Sequence, residues 1–231
     1  MVDRPELSGV AGVPETVLGR ALLDRLPKNL APAPWHCRCE AVVWLSRGGR
    51  TASSALPPTL RGPGLGVVGG LVRYTDTPVG PYDEVLGLVG SRSGALPWGH
   101  VAFMAVDSEP SLVGGRTNWA MPKTLATFEG VVARGRAFTA TGADEHRWRV
   151  SATPLVVGPP VPVRLAGVAR QQFPGDRVAA SSLGSRGRVR PALVRVEVES
   201  DGPLPSWLRP GRHLGAVVES AEFTLAEPQP L

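Results

Sequence analysis

The sequence is nearly devoid of lysine, and it has no long hydrophobic run and no signal-peptide core. Lys28 and Lys123 are the only lysines among 25 basic residues, which indicates a general preference for arginine and makes each lysine an unusual choice of cation. Apolar runs such as residues 65–72 and 101–106 fall far short of the roughly 18 residues that a membrane span needs. We therefore expect a cytoplasmic protein with no membrane partner.

Cysteine and histidine are also scarce. Cys37 and Cys39 are the only cysteines, and in an extended segment they would lie on one face with little room to close a disulfide ring. We expect both to be reduced and structural. The four histidines are scattered, so no second Cys/His pair completes a zinc site, and His36 beside the cysteines leaves a metal site only as the weaker alternative. We predict no metal and no cofactor.

Several common catalytic signatures are missing. The chain has no GxGxxG placed to open a helix after a strand, no GxxxxGK[ST] loop, no HExxH and no GxSxG. These absences argue against nucleotide-dependent enzymes, zinc proteases and serine hydrolases.

Glycine and proline are abundant, with 28 and 24 residues, which indicates many short elements separated by turns. One helix is predicted over residues 17–26, with Thr16 as its N-cap. Elsewhere the pattern is typical of strands, most clearly over 194–199, where apolar and charged residues alternate. We predict strands at residues 38–46, 66–74, 84–90, 100–106, 127–133, 137–141, 147–152, 189–199 and 216–225.

These strands predict a mainly β protein with minor helices, built as a single antiparallel barrel-like domain over residues 1–231. The segment 152–170 is rich in proline, but it is also apolar, so we do not predict a domain boundary there. The tails at residues 1–14 and 227–231 are expected to be loosely ordered.

Residues 134–195 contain eleven arginines against three acidic residues. Such a surface could bind nucleic acid, but no basic helix or recognisable nucleic-acid-binding motif accompanies it. A solvated arginine-rich face is the simpler interpretation, so we predict no nucleic-acid partner. Arg186, Arg188 and Arg190 form the densest cluster, which we predict to be a mobile loop.

The segment 108–128, SEPSLVGGRTNWAMPKTLATF, combines a glycine pair, an arginine, a tryptophan and a Met-Pro-Lys turn. Lys123 has apolar neighbours, and an inward-turned amine would lose solvation, which disfavours its charged form. A neutral amine is a nucleophile that can form a Schiff base with a ketone, and the protonated imine then accepts electrons from a breaking bond. The alternative is that Lys123 extends from a strand edge with its ammonium in water.

This segment resembles a known family. GGRTNWAMPKTLA is similar to the Gly-Arg-Glu and Pro-Lys signature of acetoacetate decarboxylases, and TPVGPYDEV and DSEP resemble the same family's upstream motifs. The resemblance covers residues 77–128 and returns faintly at the C-terminal strands. It implies the family's β-rich fold, a small keto acid as substrate, a homo-oligomer, and the lysine chemistry for which this family is the standard example.

The resemblance also implies site residues. Lys123 takes the place of the Schiff-base lysine, Glu84 that of a pocket glutamate that transfers protons, and Arg38 that of an arginine that holds the substrate carboxylate. From the residues alone, Glu84 and Arg38 could equally be a strand-end carboxylate and a strand-edge cation. Arg116 is expected to brace the loop beside the substrate, and Trp119 and Met121 to form pocket wall or core.

Departures from the family pattern leave the reaction open. Thr124 stands where a second lysine follows the catalytic one, Thr117 replaces a glutamate, and a second pocket glutamate is missing near His100. His100 could supply a proton donor or acceptor, or be an ordinary strand residue. We predict a lyase that decarboxylates an acetoacetate-like β-keto acid or performs related aldolase or dehydratase chemistry. The alternative is a non-catalytic relative that keeps the fold and binds a small molecule.

Overall fold

Strands dominate the architecture. The computed structural model describes residues 4–142 and 146–231, which form eleven strands and five short helices. The strands are β1 (Trp35–Arg47), β2 (Gly66–Asp76), β3 (Tyr82–Ser93), β4 (Leu96–Val106), β5 (Lys123–Gly130), β6 (Phe138–Gly142), β7 (Trp148–Val156), β8 (Val161–Phe173), β9 (Arg177–Ser200), β10 (Gly211–Leu225) and β11 (Gln229–Pro230). The helices are α1 (Pro5–Ser8), α2 (Arg20–Arg25), α3 (Arg50–Ser54), α4 (Glu109–Trp119) and α5 (Leu204–Leu208), and 3₁₀ turns cover Pro14–Thr16 and Pro58–Leu60.

One sheet contains these strands. The order of neighbours is β10-β1-β2-β3-β4-β5-β6-β7-β9-β11, and β10 also pairs with β9, so the sheet returns on itself in a ring-like arrangement. Strand β8 lies beside β9 and touches β4. The predicted mainly β fold is confirmed. The sheet is mixed rather than wholly antiparallel, because β4 runs parallel to β5 and to β8.

Alternating side chains explain how the sheet encloses its core. In the last part of β9, Val194, Val196 and Val198 are buried, whereas Arg195 and Glu197 between them are exposed. Successive side chains of a strand point to opposite faces, so the valines line the interior and the charged residues meet water. They join a core that contains the large side chains Trp44, Phe103, Phe138 and Trp207.

Helix α2 is shorter than predicted. It covers Arg20–Arg25, and Thr16 lies in the preceding 3₁₀ turn, where its hydroxyl donates to the Val13 carbonyl. The predicted N-cap at Thr16 is therefore wrong. The chain from Val17 to Gly19 is extended before the helix begins.

The predicted loop at Arg186, Arg188 and Arg190 is wrong as well. These residues lie in the middle of β9, which pairs with β8 on one side and β10 on the other. Two sets of backbone hydrogen bonds hold the segment extended despite its glycine-rich and arginine-rich composition. Strand β8, at Val161–Phe173, covers much of the proline-rich segment 152–170. We did not predict a strand there from the sequence.

Both tails have more order than we expected. Residues 1–3 lie outside the described part of the chain, but α1 follows directly and its Leu7 is fully buried. At the other end β11 pairs with Ala179 and Ala180 of β9. Across residues 4–142 and 146–231, none of the helices is long and apolar enough to cross a membrane.

Candidate active site

Lys123 is held at the junction of α4 and β5. Ser108 caps α4 by accepting a hydrogen bond from the Ser111 N–H, and Ala120 ends the helix in the left-handed conformation with φ 51°. Such a residue at the end of a helix reverses the chain. Pro122 follows, and Lys123 then starts β5 in parallel register with Met104 of β4.

The glycine pair of α4 makes room for the lysine and for an aromatic ring. A Cβ on Gly115 would lie 2.5 Å from Cδ of Lys123, and one on Gly114 would lie 2.5 Å from the Trp35 ring. No side chain fits at either position without displacing these groups. The stem of Lys123 therefore crosses directly over the helix backbone, which fixes the direction of its amine.

The Lys123 amine is buried and surrounded by polar groups. Only 3% of the residue is exposed, and Nζ lies 2.8 Å from Oε2 of Glu84, 2.9 Å from Oγ of Ser111 and 3.4 Å from the hydroxyl of Tyr82. Glu84 is 1% exposed, so this is a buried ion pair. Buried ionic groups need close pairing and further hydrogen bonds to offset the cost of desolvation, and both are present here.

Strand register brings the remaining groups to the carboxylate. Tyr74 of β2 lies opposite Tyr82 of β3, and the Tyr74 hydroxyl donates to Oε1 of Glu84 at 3.1 Å. Both oxygens of Glu84 therefore have partners. Burial first, and then the charge of Glu84, raise the pKa of each tyrosine well above its usual value. Both phenols stay protonated at neutral pH and can donate hydrogen bonds.

Cys37 approaches the same cluster from β1. Burial raises the pKa of its thiol to about 12, while the nearby charge of Lys123 lowers it and that of Glu84 raises it. Burial likewise raises the pKa of Cys39 to about 12. Both are free cysteines, and at these pKa values they are thiols rather than thiolates at neutral pH. Within the described ranges, no three His, Cys, Asp or Glu side chains are grouped to hold a metal ion.

Arg116 lies under the lysine as a brace for the backbone. Its guanidinium is buried, and it donates from Nε to the Lys123 carbonyl at 2.6 Å and from its two other nitrogens to the carbonyls of Leu7 and Thr16. These bonds tie α4 to the start of β5 and to the N-terminal segment. The bracing role that we expected is consistent with this geometry. A role in substrate binding stays a prediction.

Arg38 is not brought to the amine. Its side chain is 64% exposed and forms an ion pair with Glu222 at 3.2 Å. Cys37 and Arg38 are consecutive on β1, so their side chains point to opposite faces. The face of the buried Cys37 also carries Trp35, whose ring centroid lies 5.9 Å from Nζ of Lys123, whereas Arg38 is on the exposed face. The geometry gives no support for the predicted contact between Arg38 and the carboxylate of a substrate bound at Lys123.

His100 is buried but lies elsewhere on β4. It is four residues before Met104, the register partner of Lys123, which places it about 13 Å away along the strand. Its Nδ1 donates to the Arg170 carbonyl at 3.1 Å. Burial, partly offset by this hydrogen bond, lowers the pKa of His100 to about 4. His100 is neutral at pH 7. Because it lies this far from Lys123, the geometry gives no support for the predicted role as a proton donor or acceptor at the site.

We expect this histidine to make folding stability depend on pH. Because its pKa falls from 6.5 in the unfolded chain to about 4 in the folded one, its contribution is complete above pH 6.5 and is lost as the pH falls toward 4. Urea unfolding should show about 2–3 kcal/mol less stability at pH 4.5 than at pH 7.5 from this group. His100→Asn should flatten that slope, whereas His36→Asn, which removes an exposed histidine, should keep it. Equal slopes in wild type and His100→Asn would contradict this assignment.

Trp119 and Met121 lie in the wall of the cluster. Trp119 packs edge-on against Trp35 with ring centroids 5.2 Å apart, and its indole N–H donates to the Ala226 carbonyl at 2.8 Å. Both residues are buried in the same apolar cluster as Tyr82. This placement fits the expected wall or core, and a direct contact with substrate stays a prediction.

Sequence reasoning missed four members of the site, namely Ser111, Tyr74, Tyr82 and Cys37. Tyr82 had a usable signal, because it lies two residues before Glu84 and therefore on the same face of the strand. Ser111 had none, because only the path of α4 brings it beside an amine twelve residues later.

The fold and the site define a mainly β protein that encloses a buried lysine–carboxylate pair. The family model for acetoacetate decarboxylase (ADC) matches residues 25–212, which is most of the chain. The chain belongs to the acetoacetate decarboxylase family. Membership supports an enzyme of lyase type that acts on a keto acid. No curated protein matches the chain significantly.

Solved structures share the fold at low sequence identity. An acetoacetate decarboxylase-like enzyme from Sphingomonas wittichii RW1 superposes with a TM-score of 0.68 at 16% identity, covering 87% of this chain and 94% of that one. An acetoacetate decarboxylase gives 0.66 at 13% identity, with 93% and 98% covered. The enduracididine biosynthesis enzyme MppR gives 0.62 at 20% identity, with 87% and 89% covered.

Proposed function

We propose that this chain is a Schiff-base-forming lyase for a small keto acid, with Lys123 as the nucleophile. The observation that carries the proposal is the buried amine of Lys123, held within 3 Å of both Glu84 and Ser111. A lysine in such a place is used in proteins for covalent chemistry on carbonyl groups. The family membership adds to this support.

Glu84 is positioned to take the proton that the amine must lose. Across 2.8 Å a proton can pass from Nζ to the carboxylate, leaving a neutral amine and a neutral acid. In a medium of low dielectric two neutral groups avoid the desolvation cost of two charges, so substrate entry that excludes water favours this transfer. Ser111 and Tyr82 then orient the amine through their oxygens.

The remaining steps use the same groups. Nζ adds to the ketone carbon, and a proton of the amine passes to the new alkoxide. The resulting hydroxyl leaves as water after taking a second proton from Glu84, which gives a protonated imine. The carbon–carbon bond to the carboxylate breaks, carbon dioxide leaves, and the electron pair moves into the iminium to form an enamine. The enamine carbon takes up a proton that comes from water, since Glu84 is again a carboxylate at this stage. A second water molecule then hydrolyses the imine to release the ketone and the amine. Glu84 is the acid and base nearest to these transfers.

Aldol-type chemistry begins with the same imine. The related MppR has been solved with pyruvate and with the condensation product of pyruvate and imidazole 4-carboxaldehyde. The absence of a second lysine after Lys123 and of a second pocket glutamate distinguishes this chain from family decarboxylases. A keto acid that loses a proton rather than carbon dioxide from the imine is therefore the second candidate substrate.

A non-catalytic binder is the rival function. It is favoured because the amine already has hydrogen-bonding partners within the protein, Glu84 and Ser111, and needs no substrate to satisfy it. A lysine that never releases its proton would remain a structural ion pair.

Borohydride trapping tests the proposal directly. With acetoacetate or pyruvate and borohydride, wild-type protein should gain a stable adduct on the peptide that contains Lys123. Because the chain has only two lysines, Lys28→Arg provides a matched control in which Lys123 is the sole lysine. No adduct at Lys123 anywhere between pH 5 and pH 9 would contradict the imine and favour the binder.

A further inference from the structure

A row of exposed leucines crosses four adjacent strands on one face of the sheet. The register places Leu155 of β7 opposite Leu193 of β9, Leu193 opposite Leu214 of β10, and Leu214 opposite Leu45 of β1. Side chains that are directly opposite each other share a face, so the four leucines form one continuous line. Between 41% and 72% of each leucine is exposed. A single exposed leucine is ordinary in a protein, but an aligned row of them is not.

Half-buried apolar side chains extend the row toward the lysine cluster. Val68 of β2 lies opposite Leu45, and Leu88 of β3 lies opposite Val68. Alternation along β3 puts Leu88 and Leu86 on the face that carries Glu84. We call these three residues, together with the row of leucines, the leucine face. It runs over six strands and ends two residues from the buried ion pair.

The leucine face is large enough to form one protein interface. At roughly 100 Å² for a leucine that is about half exposed, the four leucines present on the order of 400 Å² of apolar surface. A standard interface buries about 800 Å² on each partner, and a little more than half of that area is apolar. With its half-buried members added, the leucine face supplies the apolar part of one such interface.

We infer that the leucine face is the contact surface for a second copy of this chain. A two-fold contact uses the same surface on both copies, and an apolar row needs only another apolar row opposite to it. Packing one leucine face on another removes both from water, which is the main favourable term in association. This inference goes beyond the proposed lysine chemistry and does not depend on it.

The charges beside the row fit such a two-fold contact. The next residues on this face are Arg195, Arg212 and Arg47 on one side of the row, and Pro191, Ala216 and Val43 on the other. The arginines are exposed, and arginine is common in protein interfaces. A two-fold axis along the row places the arginines of each copy over the uncharged side of the other. Like charges then stay apart, and the apolar stems of the arginines gain a surface to pack on.

Analytical ultracentrifugation of the full chain at micromolar concentration tests the contact. Wild type should sediment as a dimer or a larger assembly. Leu214→Glu should raise the dissociation constant of this contact about 100-fold or more, because each two-fold contact would then bury two carboxylates. The matched control is Leu96→Glu, at a leucine of β4 that is 69% exposed, against 72% for Leu214, and lies outside the leucine face. This control should assemble like wild type.

A second variant keeps the test decisive if Leu214→Glu does not fold. Leu45→Gln adds no charge, should keep the wild-type circular dichroism spectrum, and should weaken the contact about tenfold. A wild-type protein that is monomeric at micromolar concentration would overturn the inference. Assembly that is equally strong in wild type, Leu214→Glu and Leu45→Gln would also overturn it. Flotation of a monomeric wild type with vesicles of anionic lipid, lost in Leu214→Glu, would overturn it too and assign the face to a lipid surface.

Discussion

Replacing Lys123 with methionine should abolish the trapped adduct and lower the free energy of unfolding by about 3–5 kcal/mol. The adduct disappears because the other lysine, Lys28, is exposed and has no comparable environment. Stability falls because Glu84, with 1% exposure, loses its cationic partner and stays in a site that water does not reach. Mass spectrometry of the peptide that contains residue 123 measures the adduct, and urea unfolding measures the stability.

A second variant separates the loss of the ion pair from the loss of packing. Glu84→Gln alone should also be destabilising, because it leaves the ammonium without a counter-charge. Combined with Lys123→Met it should recover part of the stability, because the double variant has no unpaired buried charge. Single variants that each cost less than about 1 kcal/mol would contradict a buried ion pair, and an adduct that survives in Lys123→Met would contradict the assigned nucleophile.

The sequence singled out Lys123 and Glu84, the buried pair at the centre of the candidate site, because the signals for both are local. Lys123 is one of only two lysines in the sequence and lies in a compact motif. Glu84 lies in a second motif that resembles the same family. The strand alternation that predicts the fold class is also local, since a strand with one buried face reveals itself every second residue. The buried valines of β9 confirm that pattern.

The rest of the site depends on tertiary structure that no local pattern encodes. Tyr74 reaches Glu84 through the register of β2 and β3, and Ser111 reaches Lys123 through the path of α4. Arg38 shows that a local resemblance can also predict a contact that the fold does not make. The resemblance to the family predicts a contact with the substrate, but Arg38 is on the exposed face of β1, and it is the opposite face, with Trp35 and Cys37, that lies toward the lysine.

Local composition led to a wrong loop prediction where pairing with distant strands outweighs local propensity. Arg186 and its neighbours have the glycine and arginine content of a loop, yet β8 and β10 hold them in a strand on both sides. A strand paired on two edges gains hydrogen bonds that local preferences do not oppose strongly.

Arg116→Lys should be among the most destabilising conservative substitutions in the chain, lowering the free energy of unfolding by about 3 kcal/mol or more. The guanidinium donates to the carbonyls of Lys123, Leu7 and Thr16 at once, whereas an ammonium on a flexible stem cannot keep all three bonds. A buried carbonyl that loses its donor retains the full cost of its desolvation. Urea unfolding at neutral pH measures the loss.

The matched control is Arg20→Lys, at an exposed arginine that pairs with Asp24 one turn along α2 and should change stability by less than about 1 kcal/mol. Because one of the three carbonyls belongs to Lys123, Arg116→Lys should also slow borohydride trapping under conditions where circular dichroism shows the variant to be folded. An Arg116→Lys protein as stable as Arg20→Lys, with trapping at the wild-type rate, would mean that the start of β5 is fixed by α4 and Pro122 alone. In that case the Arg116 guanidinium would have no part in positioning the Lys123 amine.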